Sequence, residues 1–118
     1  MKQTANELTQ KILDFLYRQG AYAFRVNTTG VPDAVRGRPR AAAKKGISDI
    51  LAVYKSRFIA IEVKVGKDQL RPEQIGFLKN IDHYGGFALV AKDFETFQKN
   101  WLDFSTTIPH TESTRAVD

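Results

Sequence analysis

The sequence has no cysteine, and His83 and His110 are its two histidines. The first absence excludes a disulfide scaffold, thiolate zinc sites and cysteine nucleophiles. The second leaves little for a zinc hydrolase or a Ser-His-Asp triad. No run approaches twenty apolar residues, so no segment is expected to span a membrane. Met1-Lys2-Gln3-Thr4 leads into a polar helical pattern rather than an apolar leader, so an intracellular, cytoplasmic protein is expected. No internal repeat is visible, and Thr29-Gly30 and Gly37 form no phosphate-binding P-loop, because the G-x-x-x-x-G-K-[ST] spacing is missing. What remains is 118 residues, 42% hydrophobic and 26% charged, the composition of one globular domain with a single core.

Acids are missing from one stretch in particular. Between Val35 and Gly46 lie Arg36, Arg38, Arg40, Lys44 and Lys45 with no Asp or Glu. The net charge is +5, so without these five residues acids and bases balance. The excess positive charge is concentrated in one segment, as expected for a polyanion contact. The alternative is a solvated basic loop.

Leu8, Ile12, Phe15 and Leu16 repeat at helical spacing and Gly20 closes the segment, which predicts an amphipathic helix over residues 4–19. Ala21 to Val26 reads as a short strand. From Asn27 to Gly46 no periodicity holds, and a long loop is expected. Asp49 to Tyr54 and Phe58 to Val65 read as strands joined by a tight turn at Lys55-Ser56-Arg57. Pro72 opens a helix whose buried side is expected to be Ile75, Leu78, Ile81 and Tyr84, with Gly85-Gly86 ending it. Phe87 to Ala91 reads as a buried strand, and Asp93 as the N-cap of a last helix carrying Phe94, Phe97, Trp101 and Leu102. The order αβ-loop-ββαβα predicts an α/β fold, a central mixed sheet with helices on both faces. The domain is expected over residues 1–104 with the basic loop 28–46 inserted, and 105–118 reads as a mobile tail.

The chemistry is concentrated in Ile61-Glu62-Val63-Lys64. Strand alternation puts Ile59, Ile61, Val63 and Val65 on one face, and Glu62 and Lys64 side by side on the other, about 6.7 Å apart along the backbone. Burying either charge unpaired costs several kcal/mol. Asp49 opens the preceding strand, and a tight hairpin returns it to the neighbourhood of Glu62. Two carboxylates with the Val63 backbone carbonyl make a partial octahedral site suited to Mg²⁺ or Mn²⁺. Lys64 beside it can polarise a water and shield developing negative charge. An E-x-K spacing alone is unspecific, arising by chance in roughly 0.4 of chains this long if each type makes up about 6% of residues. An ion pair on an exposed strand face is the plain alternative.

Arg25-Val26-Asn27-Thr28, Gly46-Ile47-Ser48-Asp49-Ile50-Leu51, Ile61-Glu62-Val63-Lys64 and Arg71-Pro72-Glu73-Gln74 stand in an order that resembles the VRR-NUC group of the PD-(D/E)xK nucleases, over about residues 7–91. The resemblance implies a restriction-endonuclease-like core, with Asp49 and Glu62 as metal ligands and Lys64 as the catalytic lysine. It also implies that Gln74 supports the site or contacts substrate, although a surface helix residue is the simpler reading. Glu7 matches an acidic residue often found on the family's first helix and is expected as an accessory ligand; its position off the Leu8-Ile12-Phe15 stripe equally suits a solvated helix face. Arg25 and Asn27, beside the basic loop, are expected to contact phosphate or to cap the strand end. His83 reads as a solvent or cap residue, and Trp101 with Phe94 and Phe97 as a packed helix face rather than a base-stacking platform.

The expected function is a Mg²⁺- or Mn²⁺-dependent DNA endonuclease that uses an activated water without a covalent intermediate. The resemblance further implies a homodimer, a preference for branched DNA such as four-way junctions, and a phage or mobile-element origin. The apolar last helix is one surface that could serve the dimer, the alternative being that the core needs it. A non-catalytic nucleic-acid-binding module on the same fold is the competing expectation.

Overall fold

The computed structural model describes residues 3–26, 31–32, 39–40 and 44–108. Helix α1 (Ala5–Arg18) begins where Thr4 accepts a hydrogen bond from the Glu7 N–H at 3.1 Å and the Glu7 carboxylate accepts one from the Thr4 N–H at 3.4 Å. Its Leu8, Ile12 and Leu16 are fully buried. Five further strands and two helices follow strand β1 (Tyr22–Arg25): β2 (Val31–Pro32), β3 (Pro39–Arg40), β4 (Ile50–Tyr54), β5 (Arg57–Val63), α2 (Pro72–His83), β6 (Phe87–Ala91) and α3 (Phe94–Thr107).

The main sheet runs β1-β4-β5-β6. The first three strands are antiparallel, and β6 lies parallel to β5, which requires the crossover that α2 supplies. Lys55 and Ser56 form the two-residue turn between β4 and β5, both with positive φ (47° and 68°), as the twist of a tight hairpin demands. One sheet face carries Ile50, Ala52, Ile59, Ile61 and Val63 and packs against α1 and α3 through Leu8, Ile12, Leu16, Phe97 and Trp101. Each such fully buried large side chain stabilises the fold by about 1.5–3 kcal/mol. The opposite face carries Ala60 and Glu62. Helix α2 covers it over β5 and β6, while Tyr22, Phe24, Val53 and Phe58 further along the same face remain exposed.

The α/β class and the central mixed sheet flanked by three helices agree with the sequence reading. Three details depart from it. The stretch read as one long loop contains β2 and β3, which pair antiparallel through Val31–Arg40 and Pro32–Pro39; two-residue strands bearing proline carry no alternating pattern to read. Helix α2 is rotated from its expected face. Gln74 and Leu78 are buried, whereas Ile75 and Tyr84 are exposed, because the Glu62 carboxylate on the sheet draws the Gln74 amide inward. Helix α3 runs through Thr107, past the expected domain end at 104, with Phe104 stacked on Phe87 (centroids 4.0 Å apart) and the hydroxyls of Ser105, Thr106 and Thr107 bonded back to carbonyls three residues earlier. On α3, Phe97 and Trp101 are core residues, as the packed-face reading has it, and Leu102 alone of the named set is largely exposed, so the core takes that helix's apolar face.

Candidate active site

The register of the β4–β5 hairpin pairs Ile50 with Ile61, so one step further out Asp49 stands opposite Glu62. The sheet itself holds Asp49: its Oδ2 accepts from the Val63 N–H at 2.8 Å, and its backbone carbonyl accepts from the Val26 N–H at 2.8 Å. In extended backbone the N–H and C=O of one residue point the same way, so the Val63 carbonyl also faces the Asp49 side. Glu62 is 2% exposed. Gln74, entering from the first turn of α2, donates its Nε2 to Glu62 Oε1 at 3.2 Å and accepts the Arg71 N–H on its Oε1 at 2.9 Å. Its amide is thereby fixed at both ends. Lys64 Nζ stands 4.0 Å from Glu62 Oε1.

The other Glu62 oxygen, Oε2, is buried and has no hydrogen-bond donor among the described residues. Its neighbour Asp49 is a second carboxylate, and two acceptors can share only a proton or a cation. Burial, followed by the hydrogen bond and the negative charge of Asp49, pushes the Glu62 pKa up to about 8, against the opposing pull of Lys64 and Arg71. The hard oxygens of Asp49, Glu62 and the Val63 carbonyl are of the kind that could hold a small divalent ion. Among the described residues no group of three or more His, Cys, Asp or Glu side chains gathers.

The remaining sequence candidates fall into three groups. Glu7 is exposed and engaged in the capping box of its own helix, so it does not join Asp49 and Glu62. Arg25 is exposed, and its guanidinium donates to Asn6 Oδ1 at the start of α1. His83 is exposed in the last turn of α2 against Tyr84. Lys44 and Lys45 are exposed but lie close by: with Gly46, Ile47, Arg71, Glu73 and Gln74 they line a cleft of about 180 Å³ that has Glu62 on its wall. Asn27, Arg36 and Arg38, the side chain of Arg40, and the tail 109–118 lie outside the described residues.

Two contributors are not foreseen from the sequence. Arg71 adds a guanidinium at the cleft whose charge acts on Glu62; it stands in the Arg71-Pro72-Glu73-Gln74 stretch that carries the resemblance, which by itself assigns it no role. Gly46 has φ +80°, and a Cβ there would collide with the Glu73 backbone carbonyl. Only glycine lets the Lys44–Ile47 turn rest against the start of α2. Gly46→Ala is therefore expected to lower stability by about 2 kcal/mol or more, from the left-handed backbone and the clash together. Urea unfolding measures this, and a loss below about 0.5 kcal/mol would show that the turn does not bear on the helix.

A mixed sheet that brings two carboxylates and a lysine to the end of a hairpin, beside a parallel strand and its crossover helix, is a restriction-endonuclease-like core. The family profile described as VRR-NUC domain matches residues 2–94. The chain belongs to the VRR-NUC family and carries a nuclease-type domain. No curated protein matches the chain.

Proposed function

We propose that this protein is a Mg²⁺- or Mn²⁺-dependent DNA endonuclease of the PD-(D/E)xK type, selective for branched DNA such as four-way junctions. The observation that carries the reading is the buried, donor-less Glu62 Oε2 beside Asp49, with Lys64 Nζ 4.0 Å from the other Glu62 oxygen. A binding module has no use for two carboxylates held together at such electrostatic cost. A divalent cation held by Asp49, Glu62 and the Val63 carbonyl would supply Lewis acidity toward the phosphate and a more acidic water.

The protein's own residues account for the rest. Val63 fixes Asp49 through its N–H, and Gln74 fixes Glu62 through its amide. The Lys64 ammonium stands where it neutralises charge building on the phosphate oxygens as the attacking water's oxygen bonds to phosphorus and the ester P–O bond breaks. Lys44, Lys45 and Arg71 ring the adjacent cleft with positive charge, and with Arg36, Arg38 and Arg40 they supply phosphate affinity. Arg25 and Asn27 extend this contact.

A homodimer completes the reading, because one Asp49–Glu62–Lys64 set cuts one strand and a junction needs two cuts related by a two-fold axis. Among the described residues, an apolar surface open to self-association is the exposed sheet face with Tyr22, Phe24, Val53 and Phe58. No helix among the described residues is long and apolar enough to cross a membrane. The proposed enzyme works in the cytoplasm, on DNA it meets there.

The test is cleavage of linear, flapped and four-way DNA with Mg²⁺ or Mn²⁺, alongside light scattering at micromolar concentration. Preferential cutting of branched substrates by a dimer is expected. Equal cutting of all substrates by a strict monomer leaves a general nuclease, and no cutting of any leaves a binding module. In the same preparation, Arg36→Ala/Arg38→Ala/Arg40→Ala is expected to flatten the salt dependence of duplex binding by about 0.9 in log–log slope for each phosphate no longer neutralised. An unchanged slope would mark the segment as a solvated loop.

A further inference from the structure

A second groove shares Lys64 with the candidate site. Beyond the last β5–β6 pair, Val63 with Ala91, the Lys64 N–H still donates to the Ala91 carbonyl at 2.9 Å. The two strands therefore leave the sheet in register, and Lys64 and Lys92 emerge as neighbours on the face that carries Glu62. Neighbouring strands are about 4.8 Å apart, so the two ammonium groups start from adjacent backbone positions. Lys64 has the Glu62 carboxylate 4.0 Å away, whereas Lys92 has no carboxylate partner among the described residues and is open to an anion.

Space for one is present. Lys64, Lys67 and Lys92 border a groove of about 420 Å³ whose apolar wall is Leu70, Ile75 and Val90. Asp68 is the one acid on its rim among the described residues. Lys67 and Lys92 are exposed, and neither forms an ion pair among the described residues. Ile75 is 38% exposed, an apolar side chain turned to the groove by the same rotation of α2 that buries Gln74. A cationic rim over an apolar wall matches the two halves of a nucleotide: a phosphodiester that takes ammonium donors, and a sugar and base that offer apolar surface.

We propose that this groove is a nucleotide subsite. Lys67 and Lys92 hold the phosphodiester next to the one at Asp49 and Glu62, while Leu70, Ile75 and Val90 pack against the attached sugar and base. The assignment rests on the nuclease reading for its register with the scissile phosphate. The contact with nucleic acid is separable from that reading. Lys67 and Lys92 take no part in the carboxylate site itself.

The experiment measures binding of a labelled DNA duplex by fluorescence anisotropy in chelator, where no cleavage occurs, over about 0.1–1 M salt. Lys67→Gln/Lys92→Gln is expected to flatten the log–log salt slope by about 0.9, an affinity loss of about eightfold at 0.1 M salt that vanishes at 1 M. Lys99→Gln, an exposed lysine of α3, removes charge elsewhere and is expected to keep close to the wild-type slope. With Mg²⁺ present, the double variant and Ile75→Ser are expected to raise KM with kcat unchanged, because both remove binding shared by ground and transition states. A wild-type slope and KM in a protein that cleaves DNA overturns the subsite and leaves the nuclease reading standing. A flattened slope in a protein that cuts no DNA keeps the contact and removes the nuclease reading. Absence of DNA binding by the wild type overturns both.

Discussion

Asp49→Asn, Glu62→Gln and Lys64→Ala are each expected to slow DNA cleavage by about a hundredfold or more while leaving DNA affinity in chelator within a few fold of wild type. The first two keep the shape and the hydrogen-bond acceptor that the Val63 N–H and the Gln74 amide require, but each removes one of the two negative charges that hold a cation. The third removes an ammonium 4.0 Å from Glu62 that is placed to neutralise the phosphate. Affinity is expected to survive because the lysines and arginines of the two flanking grooves supply it. Single-turnover cleavage with saturating protein separates the rate from binding. A wild-type rate for Glu62→Gln would remove the nuclease proposal altogether.

Glu62→Gln carries a second, opposite expectation: the cation-free protein should become more stable at pH 8. Glu62 binds its proton up to about pH 8 when folded, against the ordinary value of 4.5. Between those values the folded state holds a proton that the unfolded chain has released. Stability contributed by protonated Glu62 is therefore fully present below pH 4.5 and is lost as pH rises toward 8. The slope approaches about 1.4 kcal/mol per pH unit where one proton separates the states. Glutamine stays neutral, accepts the same bond from Gln74 and removes the slope. Mg²⁺ should restore stability to the wild type at pH 8 by binding the folded state, and should do so weakly in the variant. Thermal melts of both proteins from pH 5 to 9, with chelator and then with Mg²⁺, check all of this. Parallel curves for the two proteins in chelator would show that Glu62 is ionised and adequately solvated, and the metal seat would lose its electrostatic basis.

The strands are legible in the sequence because alternation is a two-residue rule that burial enforces. Ile59, Ile61 and Val63 are dictated by the core, and Glu62 and Lys64 then have only the other face. The position of Asp49 follows from counting along a hairpin whose turn is short. Helix α2 departs from its apolar pattern for a physical reason. Its apolar residues suggest one face, yet the amide of Gln74 outweighs Ile75 because an unpaired buried Glu62 oxygen costs more than an exposed isoleucine. The approach of Gly46 to Glu73 is invisible for a different reason: it joins segments 27 positions apart, and no local periodicity encodes it. Arg71 escapes notice because its contribution is a charge acting through space. The capping role of Glu7 is within reach of the sequence, since Thr4 and Glu7 have the spacing of a capping box.

The bond from the Val63 N–H to Asp49 has a bearing on how this site tolerates inherited change. Because the donor is main chain, every amino acid except proline brings it to position 63. The side chain there answers to the core packing, where Val63 is 6% exposed, and to nothing in the chemistry. Substitutions among aliphatic residues at 63 can therefore accumulate over generations without moving the carboxylate. Gln74 has no such latitude, since its amide must both give to Glu62 and receive from Arg71. One carboxylate of the pair is thus insulated from drift at the residue that positions it, and the other is exposed to it.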